Sequence, residues 1–153
     1  MHVEKKLEEM GYPLIDPQTP AGVYVPAHRI GDFVYTSGQG SRRQGETDYR
    51  GHLGKDLTIE EGYECARRSA LNCLSAIKAV IGDLDKIEQF VKILGFVNSA
   101  AGFDQQPKVM NGCSELLEAV FGDKGKHARS AIGVNELPHR TPVEIEMIVK
   151  IKD

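Results

Sequence analysis

The chain has no tryptophan, and its aromatic residues make up only 7% of 153 positions. Surfaces that hold single-stranded nucleic acid stack bases on aromatic rings inside a basic groove. Here Lys plus Arg number 19 and Asp plus Glu 22, a net charge of −3, so the basic groove is missing as well. No apolar run approaches the ~20 residues of a membrane span. The opening Met1-His2-Val3-Glu4-Lys5-Lys6 lacks the apolar stretch of a secretory signal. Three cysteines, Cys65, Cys73 and Cys113, cannot all pair within one chain, and all fall in helix-like sequence. Reduced thiols in a cytoplasmic protein are the expectation.

Standard chemical motifs are also absent. There is no C-x-x-C, no H-x-x-x-H and no G-x-x-x-x-G-K-[ST]. Gly38-Gln39-Gly40 lacks the third glycine of a dinucleotide fingerprint and precedes a long loop. His2, His28, His52, His127 and His139 are scattered, so neither a metal nor a cofactor is expected. Ser37 lacks the flanking pattern of a nucleophile elbow.

What remains is an ordinary globular composition, 41% apolar and 27% charged. The length fits one domain, 1–153, with residues 1–20 as an N-terminal helix and linker. Val3, Leu7 and Met10 recur at helical spacing before Gly11 and Pro13 stop the helix. Residues 22–39 read as two strands turning at Gly31-Asp32, with Pro26 confining the first to an edge. Residues 40–57 form a polar loop carrying Arg42, Arg43, Arg50, His52 and Lys55, and loops of that length are mostly functional or mobile.

Thr58 and Glu61 have the spacing of a capping box, which opens a helix that Gly82 closes. Residues 86–97 read as a strand apolar on both faces, with Phe90, Leu94 and Phe96 on one side and Val91, Ile93 and Val97 on the other. Asp104 is expected to cap a second long helix running to Phe121. Residues 129–135 and 142–152 read as two final strands.

Two helices against one mixed sheet give a two-layer α+β fold. One apolar row must then face away from the helices, where a second surface, another subunit, is needed to cover it. Two charged residues stand out. Arg129 is either a surface cation or a planar fork for a carboxylate. Glu144, opposite the apolar row of the last strand, is either a solvated edge charge or a partly buried base.

Three segments carry a resemblance: Tyr24 with FVYTSGQ (33–39), NGCSELLEAVFG (111–122), and HARSAIGVNELP (127–138) with VEIEMIVKI (143–151). In these the chain resembles the reactive-intermediate deaminase family (YjgF-like, or Rid), which also carries the older label endoribonuclease L-PSP. It is most similar to a longer branch with an extra N-terminal helix. The resemblance implies a chorismate-mutase-like fold and a homotrimer whose sheets meet in a central barrel, with ligands in the clefts between subunits. It further implies hydrolysis of 2-imino acids or enamines to 2-keto acids and ammonia.

By the same resemblance, Arg129 holds the substrate carboxylate and Glu144 positions the attacking water. Tyr24, Ser37, Gly38 and Asn111 are substrate-binding. Lys126-His127 departs from the family pattern; if the strand begins there, His127 shares a face with Arg129 and is a further substrate-binding candidate, and otherwise it is a surface histidine. Ala131 stands where the family often has cysteine. A non-catalytic trimer binding small carboxylates is the alternative. RNA cleavage is disfavoured by charge and composition, and no membrane partner is expected.

Overall fold

The structure, a computed structural model, describes residues Met1–Asp153. Helix α1 (His2–Glu9) leads through a Pro-rich linker to β1 (Ala27–Ile30), β2 (Phe33–Thr36) and the short β3 (Gln39–Gly40). Helix α2 (Ile59–Ile81), β4 (Ile87–Asn98), α3 (Gln106–Phe121), β5 (Ala128–Val134) and β6 (Val143–Ile151) follow. The sheet order is β1-β2-β6-β4-β5, with β3 also paired to β6. Only β4 and β5 run parallel, so the chain between them crosses over through α3. The result is the mixed-sheet α+β fold that the alternation of elements implies.

Local chemistry explains the boundaries. Thr58 Oγ1 accepts from the Glu61 amide at 3.1 Å, and Glu61 Oε1 accepts from the Thr58 amide at 2.9 Å, completing the capping box. Gly31 has φ 58° at the first position of the two-residue turn between Ile30 and Phe33, as a II′-type hairpin requires. Asp104 does not cap α3. The N-cap is Gln105, and the Asp104 carboxylate accepts instead from Gln105 Nε2 at 3.0 Å. The helix starts without a side-chain cap, with Pro107 in its first turn, where a missing N–H costs nothing.

The helices cover one sheet face. Val143, Ile145, Met147, Val149 and Ile151 of β6 meet α2 and α3 in one buried cluster, closed at one end by Phe90 and Phe121 packed edge-on at 4.8 Å. Leu7 anchors α1 to this layer. The expected partition of β4 is corrected here. Register shifts between Ile87 and Gln89 and between Phe90 and Lys92 break the two-residue period. Phe90 therefore joins Ile93 and Val97 in the core, while Val91, Leu94 and Phe96 point outward. On that outer face Ile30, Phe33, Tyr35, Val91 and Ile132 are exposed.

The 40–57 loop is packed down along its length. Asn72 Nδ2 on α2 donates to the carbonyls of Gly40 and Arg42, both at 2.9 Å. Arg68 donates to the Thr47 carbonyl at 2.7 Å and lies over the Tyr49 ring. Leu53 is wholly buried, and Asn98 Nδ2 donates to the Gly51 carbonyl. All three cysteines are buried and unpaired. Burial pushes the Cys65 thiol up to about 11 and the Cys113 thiol up to about 12, so neither is a ready thiolate.

Candidate active site

The residues singled out by sequence fall into two separate groups. The first lines a cleft of about 570 Å³ that also takes in the linker and the long loop. Glu144 and Gly38 meet there. A methyl group at Gly38 would lie 2.8 Å from Glu144 Oε2 and 2.9 Å from its Cδ, so only glycine lets the carboxylate rest against this backbone. The Glu144 carboxylate is half-buried and has no cation or hydrogen-bond donor of its own. Burial, and secondarily the Glu146 charge, raise its pKa above the ordinary glutamate value. Tyr24 lines the same cleft, its hydroxyl accepting from the Ala21 amide at 3.3 Å.

Ser37 sits beside this group without facing it. Its hydroxyl donates to the Val25 carbonyl at 2.6 Å and its amide to the Pro26 carbonyl at 2.8 Å, which fastens the segment before β1. Gly38→Ala is expected to keep the fold while lowering any turnover by ~10-fold, because the flexible carboxylate must swing away from its place. Circular dichroism and steady-state kinetics check the two halves of that expectation.

The second group gathers on the flank of α3. Arg129 Nη1 donates to Asn111 Oδ1 at 3.0 Å and to Ser114 Oγ at 3.1 Å. Both hydrogens of that nitrogen are therefore engaged. The Nε–Nη2 edge makes no hydrogen bond within the chain, and Arg129 takes part in no ion pair. That edge is the one suited to a bidentate carboxylate. His127 Nε2 lies 2.9 Å from Ser114 Oγ, and its Nδ1 lies 2.7 Å from the Gly125 carbonyl.

One chain does not bring the two groups together. Arg129 pairs with Ile93, a core residue, so its side chain leaves the helix-covered face. Glu144 pairs with Phe96, so its side chain leaves the opposite face. Phe96 in turn pairs with Ile132, three residues beyond Arg129. Two strand spacings and three residues along the strand separate the two backbones by ~14 Å. A small ligand touching both side chains needs a second copy of the chain.

Several lining residues were not among the candidates. Arg42, Asp48, Tyr49 and Arg50 reach the Glu144 cleft from the long loop. Pro138 and His139 reach it from the turn before β6. In that turn His139 and Arg140 both have φ 58°, a left-handed conformation that costs a non-glycine residue ~1–2 kcal/mol. The loop holds it: Arg50 Nη1 donates to the His139 carbonyl at 3.4 Å, and the Gly51 amide to the Arg140 carbonyl at 2.9 Å. Ser114 was legible in principle, because it lies one helical turn from Asn111 on the same face. No group of three His, Cys, Asp or Glu side chains is placed to hold a metal, and no helix is long and apolar enough to cross a membrane.

The fold agrees with what comparison to known proteins finds. The family model described as "YjgF/chorismate_mutase-like, putative endoribonuclease" matches residues 4–145, and the chain belongs to that family. Protein TCP17 of Trypanosoma cruzi is 38% identical over 152 residues, covering 99% of this chain and 95% of that one. The 2-iminobutanoate/2-iminopropanoate deaminase of Dermatophagoides farinae is 30% identical over 135 residues, covering 87% and 89%. A crystal structure of a protein of unknown function from Agrobacterium tumefaciens superposes with a TM-score of 0.91 at 38% identity, covering 99% and 94%.

Proposed function

We propose that the chain hydrolyses 2-imino acids and their enamine tautomers to 2-keto acids and ammonia, in a homotrimer. Each active site joins the Glu144 cleft of one subunit to the Arg129 cluster of a neighbour. The observation that carries this reading is the pairing of chemistries. A half-buried carboxylate without a partner is a base, and an arginine with one hand tied and a free fork is a carboxylate anchor. The name of the mite relative supports the reaction class. The exposed apolar residues on the outer sheet face support the assembly.

The steps follow from those groups. Arg129 takes the substrate carboxylate on its free edge and so fixes the C=N carbon. Glu144 accepts a proton from water as the oxygen attacks that carbon and the π electrons move to nitrogen. Proton return to the nitrogen and collapse of the carbinolamine then release ammonia and the keto acid. An imine carbon is electrophilic enough for water, so no metal is required by this route.

The test couples an amino-acid oxidase, which generates 2-iminobutanoate, to detection of 2-oxobutanoate in the presence of a scavenger for the free imine. The protein is expected to speed keto-acid release in proportion to its concentration. Binding of 2-oxobutanoate without acceleration would replace the enzyme by a binding protein.

Glu144→Gln is expected to leave 2-oxobutanoate affinity within ~3-fold while lowering turnover ~10²-fold or more. The acid limb of wild-type turnover should fall through a pKa above that of free glutamate, because the base works only when ionised. Stability moves the other way. A carboxyl whose folded pKa is raised destabilises the fold once pH exceeds its unfolded value, and the penalty is complete above the folded value. Glu144→Gln should therefore melt above wild type at neutral pH, with the gain vanishing in acid.

A further inference from the structure

We propose that His127 is a positioning residue for the Arg129 anchor and acts on it through the Ser114 hydroxyl. The inference rests on the reading of Arg129 as a carboxylate anchor, and it adds a group that touches no substrate.

The directions of the hydrogen bonds are fixed by what each atom can do. The Gly125 carbonyl only accepts, so His127 Nδ1 carries the proton of the neutral ring. Nε2 is then an acceptor, and the only hydrogen near it is that of the Ser114 hydroxyl, 2.9 Å away. With its hydrogen turned to His127, Ser114 presents a lone pair to Arg129 Nη1 at 3.1 Å. Asn111 Oδ1 takes the other hydrogen of that nitrogen at 3.0 Å. Remove the imidazole and the hydroxyl rotates freely. It then competes for the Asn111 oxygen or turns its hydrogen toward the guanidinium. The free Nε–Nη2 fork loses its fixed direction in either case.

The neutral ring is the form that this arrangement needs. Charged groups reach His127 from two elements, Arg129 on β5 and Glu118 on α3. Burial, with the Arg129 charge adding to it, holds the imidazole below its ordinary value, against the Gly125 carbonyl and Glu118. A proton on Nε2 removes the acceptor of the Ser114 hydroxyl, whose hydrogen is then free to turn to Asn111 or the guanidinium. Anion affinity therefore falls as pH falls through the His127 range, and by linkage the seated anion lowers the affinity of His127 for a proton.

The test uses the full-length chain, with 2-oxobutanoate as the probe and nitrogen NMR of the imidazole as the ligand-free readout. Wild type is expected to show the Nδ1–H tautomer and a midpoint below that of free histidine, moving further down when 2-oxobutanoate is added. His127→Phe and Ser114→Ala should each weaken binding ~10-fold at pH 7.5, and the double variant should be no weaker than either. The pH dependence should vanish in His127→Phe. His127→Gln, whose amide oxygen accepts from Ser114, should restore affinity at pH 7.5 without the pH dependence.

Wild-type affinity in His127→Phe, additive losses in the double variant, or a pH dependence that survives without the imidazole would each overturn the inference. Failure of wild type to bind 2-oxobutanoate would instead remove the anchor reading. The ligand-free spectrum still decides the network in that case: Arg129→Ala must raise the His127 midpoint, and an unmoved midpoint rejects the coupling.

Discussion

Arg129→Ala is expected to weaken 2-oxobutanoate binding and imine turnover by ~30-fold or more while the chain remains folded. A charge-assisted bidentate contact shielded from water contributes ~2–4 kcal/mol, or ~30- to 1000-fold. Arg129→Lys should recover little. An ammonium holds the charge as a point, whereas Asn111 and Ser114 already occupy one side of the guanidinium and the ligand needs the other.

The placement of the two groups on opposite faces makes a sharper experiment possible. Arg129→Ala and Glu144→Gln each spoil every site of a homotrimer. Mixed and reassembled in equal amounts, they should regain roughly a quarter of wild-type activity, because each mixed ring contains one junction with both residues intact. No recovery on reassembly would place the whole site within one subunit. Wild-type affinity in Arg129→Ala would place the carboxylate elsewhere.

Gly112→Ala should damage stability rather than chemistry. Gly112 is buried in α3, where the helix meets α2, and an added methyl would overlap the Tyr63 carbonyl. A side chain can rotate away from such a contact, but a backbone carbonyl inside a helix cannot. Overpacking of this kind costs ~3 kcal/mol or more, against a gain of ~1 kcal/mol from the better helix propensity of alanine. The net loss should lower the melting temperature by ~4–8 °C, read by thermal circular dichroism. A variant as stable as wild type would mean that the helices separate at little cost. Gly38→Ala is the useful contrast, since its neighbour is the far end of a flexible glutamate.

The contrast between local and long-range information runs through the whole molecule. The Thr58–Glu61 cap, the Gly31 turn and the alternation of β6 rest on neighbours within a few residues, and all were legible in the sequence. Simple alternation groups Phe90 with Leu94 and Phe96 instead of Ile93 and Val97, because two bulges shift the phase of β4 and a bulge depends on the partner strand. Asp104 has the right chemistry for a cap, but its carboxylate is turned to Gln105.

The loop at 40–57 was visible by length and polarity. Its path was not, since the groups that hold it, Asn72, Arg68 and Asn98, belong to distant elements. Arg129 and Glu144 could be picked by residue type and by the motifs around them. That they leave opposite sides of the sheet follows only from the parallel register of β5 on β4, which no local pattern encodes.

The opposite exits of Arg129 and Glu144 also make activity a matter of protein concentration. In the proposed assembly a lone chain carries two incomplete sites and no complete one. Dilution below the dissociation constant of the assembly should then reduce specific activity itself, with full recovery on concentrating the sample. The quantity of protein in a compartment would set both how many catalysts are present and whether each of them works.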